Sequence, residues 1–278
     1  MTDTMGRPAR TGEATTNDRV RQGAVLLSEI ACIFGTLVGV GVIGTRVEES
    51  SGGNLSANAT LIAPAVPAFS IWSIVYAGLA AYTIWQLLPA AVTDPRARAT
   101  GWLAAASMLL NAAWLLVTQV GWLWVSVGII VTLVLVLGVL VRRLTEIPAR
   151  GRLDRVILDG TFGLYLGWVA VATCANIAAA LVASGVKPAS PLADVIAAVV
   201  LFVAAGVGVH LARQLGGRYA VAGAMAWGLG WIAVGRLGDA PRSTITAVAA
   251  IAGAVIVVVA AVRVHRQADG LVLAGGVR

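Results

Sequence analysis

Apolar residues run along this chain in eight blocks, at about 25–45, 69–90, 101–119, 122–141, 160–182, 192–212, 219–236 and 244–264. A helix rising about 1.5 Å per residue needs about 20 such residues to cross the hydrocarbon core of a bilayer, so each block predicts one span. Three blocks carry a polar and aromatic stripe at helical spacing. The second has Phe69, Trp72, Tyr76 and Thr83; the third has Ser107, Asn111, Trp114 and Thr118; the fifth has Tyr165, Trp168, Ala172 and Asn176. At about 100° per residue each set shares one helix face. Lipid does not select indole, phenol and amide groups, so these faces are expected to meet other helices or a ligand. Counting residues from the block ends puts all three sets in the outer half of the bilayer, beneath a long first external loop at about 46–68. That agreement predicts an aromatic-lined cavity, with Ala172 leaving room between Trp168 and Asn176. The competing reading is packing, in which Asn, Ser and Thr bond across helices.

Composition agrees with eight spans. Of 278 residues, 59% are apolar and 12% charged, against about 25% charged in an average soluble domain. The expected class is an all-α polytopic membrane protein. The formal charge of +7 raises nucleic acid as a partner, but the placement of the basic residues gives another cause. With the N-terminus inside, 16 of the 20 Lys and Arg fall in cytoplasmic segments, leaving Arg46, Lys187, Arg236 and Arg242 outside. This is the positive-inside asymmetry, and it predicts cytoplasmic termini and no nucleic-acid partner. Residues 1–24 are expected to be a disordered cytoplasmic tail and 268–278 a second tail. The first apolar run is long enough to stay as an anchor.

Conventional chemistry is thinly represented. There are no paired carboxylates, no nucleophile–base set and no metal-ligand spacing, so no catalytic residue and no metal site is expected. Cys32 and Cys174 read as small packing residues. Asp154, Arg155 and Asp159 read as solvated loop charges. Glu29 is placed about two helical turns inside the first span, where a charge must be paired, protonated or near water. It leaves open an ion- or proton-coupled transporter as an alternative.

The motifs then carry a resemblance. Tyr165-x-x-Trp168-x-x-x-Ala172-Thr173-x-x-Asn176 resembles the fifth-helix motif of the TspO/MBR family, the translocator or peripheral benzodiazepine receptor proteins. Phe69-Ser-Ile-Trp72-x-x-x-Tyr76, after Pro64 and Pro67, is similar to its second-helix motif, and Leu110-Asn111-x-x-Trp114 to its third. The first loop lacks the family's Trp-Tyr and Lys-Pro elements, which is closer to the divergent bacterial tryptophan-rich sensory proteins. The resemblance implies a five-helix transmembrane bundle over 25–184, often dimeric, followed here by a three-helix extension over 185–267. It implies a bacterial inner-membrane protein that senses or transports a flat hydrophobic ligand of porphyrin, haem or other tetrapyrrole type, with no required cofactor. Ligand contacts would come from Phe69, Trp72, Tyr76, Asn111, Trp114, Tyr165, Trp168, Ala172, Thr173 and Asn176. An intramembrane enzyme turning over a tetrapyrrole or isoprenoid, including by light-dependent degradation, is a third alternative.

Overall fold

A computed structural model describes residues 13–275, with side chains to 268. Eight helices are long and apolar enough to cross a membrane, and no strand occurs among the described residues. They are α1 (Thr16–Gly39), α2 (Ile71–Leu87), α3 (Pro95–Val120), α4 (Leu123–Glu146), α5 (Arg152–Ala183), α6 (Leu192–Gln214), α7 (Tyr219–Gly238) and α8 (Thr244–Gly275). A 3-10 turn over Val66–Ser70 leads into α2, and α5 contains a π-helical stretch over Arg155–Gly160.

The first five helices close a circuit: α2 packs on α1, α1 on α3, α3 on α4, α4 on α5, and α5 back on α2. Outside that circuit α7 lies along α5, α8 along α7, and α6 along α8. One continuous hydrophobic cluster draws residues from all eight helices. Close approach comes from small residues, as expected where lipid offers no hydrophobic drive between helices. A Cβ on Gly35 would stand 2.9 Å from the Cα of Ala112, and one on Gly228 3.0 Å from Val171. Gly121 takes the left-handed conformation (φ 79°) that ends α3 and turns the chain into α4 within two residues.

Helix ends differ from the hydropathy blocks, and the physical reason is capping and charge pairing. Residues 16–24 are not a disordered tail but the first turns of α1, while residues 1–12 lie outside the described residues. Thr15 and Asp18 form a reciprocal capping box at the start. Asp18 then takes two hydrogen bonds from Arg98 of α3, at 2.6 and 2.9 Å, and pairs with Arg21 at 3.3 Å. The expected second tail is likewise helical through Gly275, with 276–278 outside the described residues.

The loop charges are also not free. Asp159 accepts from Arg96 and, at 2.7 Å, from Arg218, and buried Asp154 accepts the Arg150 amide at 3.2 Å. Hydropathy treats a charge as a mark of the surface. Here opposite charges from α3, α5 and α7 satisfy one another at the end of the bundle that holds both termini.

Candidate aromatic site

At the opposite end the loop between α1 and α2, residues 40–65, folds over the bundle. Gln119 holds it with a pair of bonds to Thr45, donating to its carbonyl at 2.9 Å and accepting from its amide at 3.0 Å. Ser51 donates to the Thr118 carbonyl at 2.8 Å. The far side is held by α7. Arg236, 1% exposed, donates to the carbonyls of Ala57 at 2.8 Å and Thr60 at 3.0 Å. Trp227 donates to the Ala68 carbonyl at 2.9 Å, and the Ala65 amide to the Trp231 carbonyl at 3.2 Å.

Beneath this loop the three stripes meet. Trp72 and Tyr76, one turn apart on α2, stack with ring centroids 5.1 Å apart and planes 13° apart. Tyr165 and Trp168 of α5 approach Trp72 edge to face, at 5.8 and 6.2 Å, and Phe69 does the same to Trp168 at 5.8 Å. These orthogonal contacts set the positive ring edge against the negative face, each favourable by about 0.5–1.5 kcal/mol beyond burial. Asn111 of α3 donates to the Tyr76 hydroxyl at 3.2 Å and weakly to the Cys32 sulfur at 3.5 Å. Tyr165 donates to the Ser107 carbonyl at 3.2 Å. Trp114 donates to Asn176 Oδ1 at 2.8 Å, and Asn176 Nδ2 donates to Ser126 Oγ at 3.0 Å, which ties α3, α5 and α4 together.

The expected single hollow between the stripes is largely filled by these contacts, because rings 5–6 Å apart leave no slot for another ring. Two spaces flank the cluster instead. A cavity of about 40 Å³ lies among Trp114, Trp168, Ala172, Asn176 and the loop; it holds only about three waters. The Trp168 Nε1 hydrogen is buried without a partner among the described residues. A larger recess, about 330 Å³, lies on the other side of Phe69. Its walls are Trp72, Ser73 and Tyr76 of α2, Thr36, Gly39 and Val40 of α1, Leu115 of α3, and Arg46, Val47 and Glu48 of the loop.

The expected contact residues are thus distributed unevenly. Phe69 borders both spaces; Trp72 and Tyr76 wall the larger; Trp114, Trp168, Ala172 and Asn176 line the smaller. Asn111 and Tyr165 stand behind these rings and orient them. Thr173 is not joined to the cluster by any hydrogen bond among the described residues: its hydroxyl bonds back to the Val169 carbonyl of its own helix at 2.7 Å. Sequence spacing missed Ser126, Cys32, Arg46 and Glu48, since they reach the site from α4, α1 and the loop and none belongs to a periodic stripe.

No group of three His, Cys, Asp or Glu side chains able to hold a metal occurs among the described residues. Neither the curated proteins nor the solved structures give a match to the chain. A family model does: that of the TSPO-like protein family matches residues 25–263, running through all eight spans rather than stopping after the fifth. With that match covering most of its length, and with the second-, third- and fifth-helix motifs packed against one another, this multi-pass membrane chain belongs to the TSPO-like protein family.

Proposed function

We propose that the protein binds a flat apolar molecule of tetrapyrrole type, as a sensor or transporter, in the recess between α1, α2 and the loop. The observation that carries this reading is the Trp72–Tyr76 stack, which offers a half-buried planar wall to a space of about 330 Å³. That volume lies at the low end of the roughly 300–1,000 Å³ typical of small-molecule pockets. It suits one edge of a large ring, with the rest of the ring emerging between α1 and α2. Arg46 in the wall can donate to ring substituents such as carboxylates, and Glu48 beside it can accept from donor groups. The small cavity on the other side is too confined for a ring and serves the binding wall from behind.

The role is read as binding rather than catalysis, with the bilayer itself as the route by which an apolar ligand arrives. The distribution of basic residues supports a reading with the loop outside and both termini in the cytoplasm, and the family resemblance implies an inner membrane. Self-association as a homodimer follows from the family resemblance alone.

Titration of protoporphyrin into the purified protein is expected to quench tryptophan fluorescence saturably. Removing one stacking partner costs about 0.5–1.5 kcal/mol, so Trp72→Ala should weaken affinity by about two- to tenfold. Quenching that never saturates, or a Trp72→Ala curve superimposable on the wild type, would exclude the recess as the site.

A further inference from the structure

Glu29 has no place in the recess, yet it is the most costly group in the molecule to leave unexplained. Its helix begins at Thr16 and ends at Gly39, so the residue stands thirteen positions from one end and ten from the other. At about 1.5 Å per residue that is roughly 20 Å and 15 Å of helix, so the residue stands near the middle of α1 rather than two turns from its start. The side chain is 5% exposed, and its Oε2 is buried with no hydrogen-bond partner. None of the ion pairs among the described residues includes it.

The facing groups supply no counter-charge. Along the packed stripe of α1, Gln22 exchanges amide bonds with Gln86 of α2, and Cys32 is joined through Asn111 to Tyr76. In sequence Glu29 falls between these two levels of α1. The groups that feel its charge are Cys32 of its own helix, Tyr76 of α2 and Tyr165 of α5. Arg21, two turns away, is taken up by Asp18 and by the Val92 carbonyl at 2.8 Å. Cys32, Tyr76 and Tyr165 are all neutral side chains, and no hydrogen bond or ion pair to Glu29 occurs among the described residues. An isolated carboxylate moved into such surroundings costs far more than it returns, and a group in that position neutralises instead.

We propose that Glu29 is a proton-binding site, occupied at neutral pH, and that the Cys32–Asn111–Tyr76 chain links it to the wall of the recess. The ligand of this second site is a hydron. Asn111 also keeps a buried Oδ1 without a partner among the described residues, so the chain retains unused accepting capacity. Gaining or losing the proton changes the field and the bonding preference at Asn111, and so the tilt of the stacked wall. The proton site itself stands whether or not a tetrapyrrole is the ligand.

Infrared spectroscopy on the full chain in phosphatidylcholine bilayers tests both parts. At pH 7 the wild type should show a protonated-carboxyl C=O stretch that Glu29→Gln lacks, the amide being close in shape to the neutral acid. Carbon-13 NMR of wild-type protein labelled at the glutamate carboxyl should give one neutral-acid resonance, without recourse to a variant. Tyr76→Phe, which removes the recess end of the chain, should move the infrared band. Absence of both the band and the resonance at pH 7 overturns the proton site, and a band that Tyr76→Phe leaves unmoved overturns the link.

Discussion

Single side chains in this bundle matter through the bonds they leave behind when removed. Asn176 is the clearest case, because one amide satisfies the Trp114 indole and the Ser126 hydroxyl on two other helices. Replacing it by leucine keeps the volume, orphans the Trp114 indole and leaves the Ser126 hydroxyl only its bond to the Leu123 carbonyl at 2.7 Å. Interhelical bonds in membranes average about 0.6 kcal/mol and reach about 1.7, so Asn176→Leu should destabilise by about 1–2 kcal/mol. Thermal unfolding in detergent reads this directly, and the loss combined with Ser126→Ala should be less than additive, since the two share a bond. The stripe residues were legible from spacing alone, because a period of 3.6 fixes which positions share a face. Their partners were not. Ser126 is one serine in an aliphatic helix, and Thr173 sits beside the motif's face while its hydroxyl bonds within its own helix. The depth of Glu29 was obscured by the charges of the first turns, which hydropathy reads as solvent. The Thr15-x-x-Asp18 spacing was the sequence signal that would have moved the helix start.

Among the elements, α7 has the least obvious task and the most specific contacts. It lies against α5 through Gly163, Gly167 and Gly228, and it holds the loop and the start of α2 through Arg236, Trp227 and the Trp231 carbonyl. Arg236 donates to loop carbonyls rather than to an acid, so its charge is solvated by backbone dipoles. Arg236→Met would keep the stem and remove three such bonds. Amide hydrogen exchange over 55–65 is then expected to speed up, while exchange in α4, which shares none of these bonds, stays as it was. Equal change in both regions would mean that Arg236 supports the whole bundle rather than the loop. Glycines lower the hydropathy of the seventh span. In the fold two of them are contact points, Gly228 against Val171 of α5 and Gly235 against Ala65 of the loop, and the span's modest hydropathy goes with burial against helices rather than lipid.

At the scale of the molecule, the five-helix circuit and the three following helices share one interior, and the termini end is bound by charge while the loop end is bound by carbonyls. A chain ending at Ser184 would expose the α5 face that meets α7, return the Ala57 and Thr60 carbonyls to solvent, and leave Asp159 without Arg218. It should therefore unfold at a markedly lower temperature than the full chain and fail to elute as one species; an unchanged melting temperature would show the first five helices to be self-sufficient. The π-helical stretch Arg155–Gly160 gives this architecture a further property. Its i→i+5 bonding takes in one residue more than an ordinary turn. Deleting one residue there would let α5 run as a regular helix, and because the wider turn already holds one residue beyond a regular one, the Arg152–Asp154 start would keep its phase relative to Tyr165 and Trp168. The segment thus acts as a reserve of length, able to give up one residue while the faces on either side of it stay aligned.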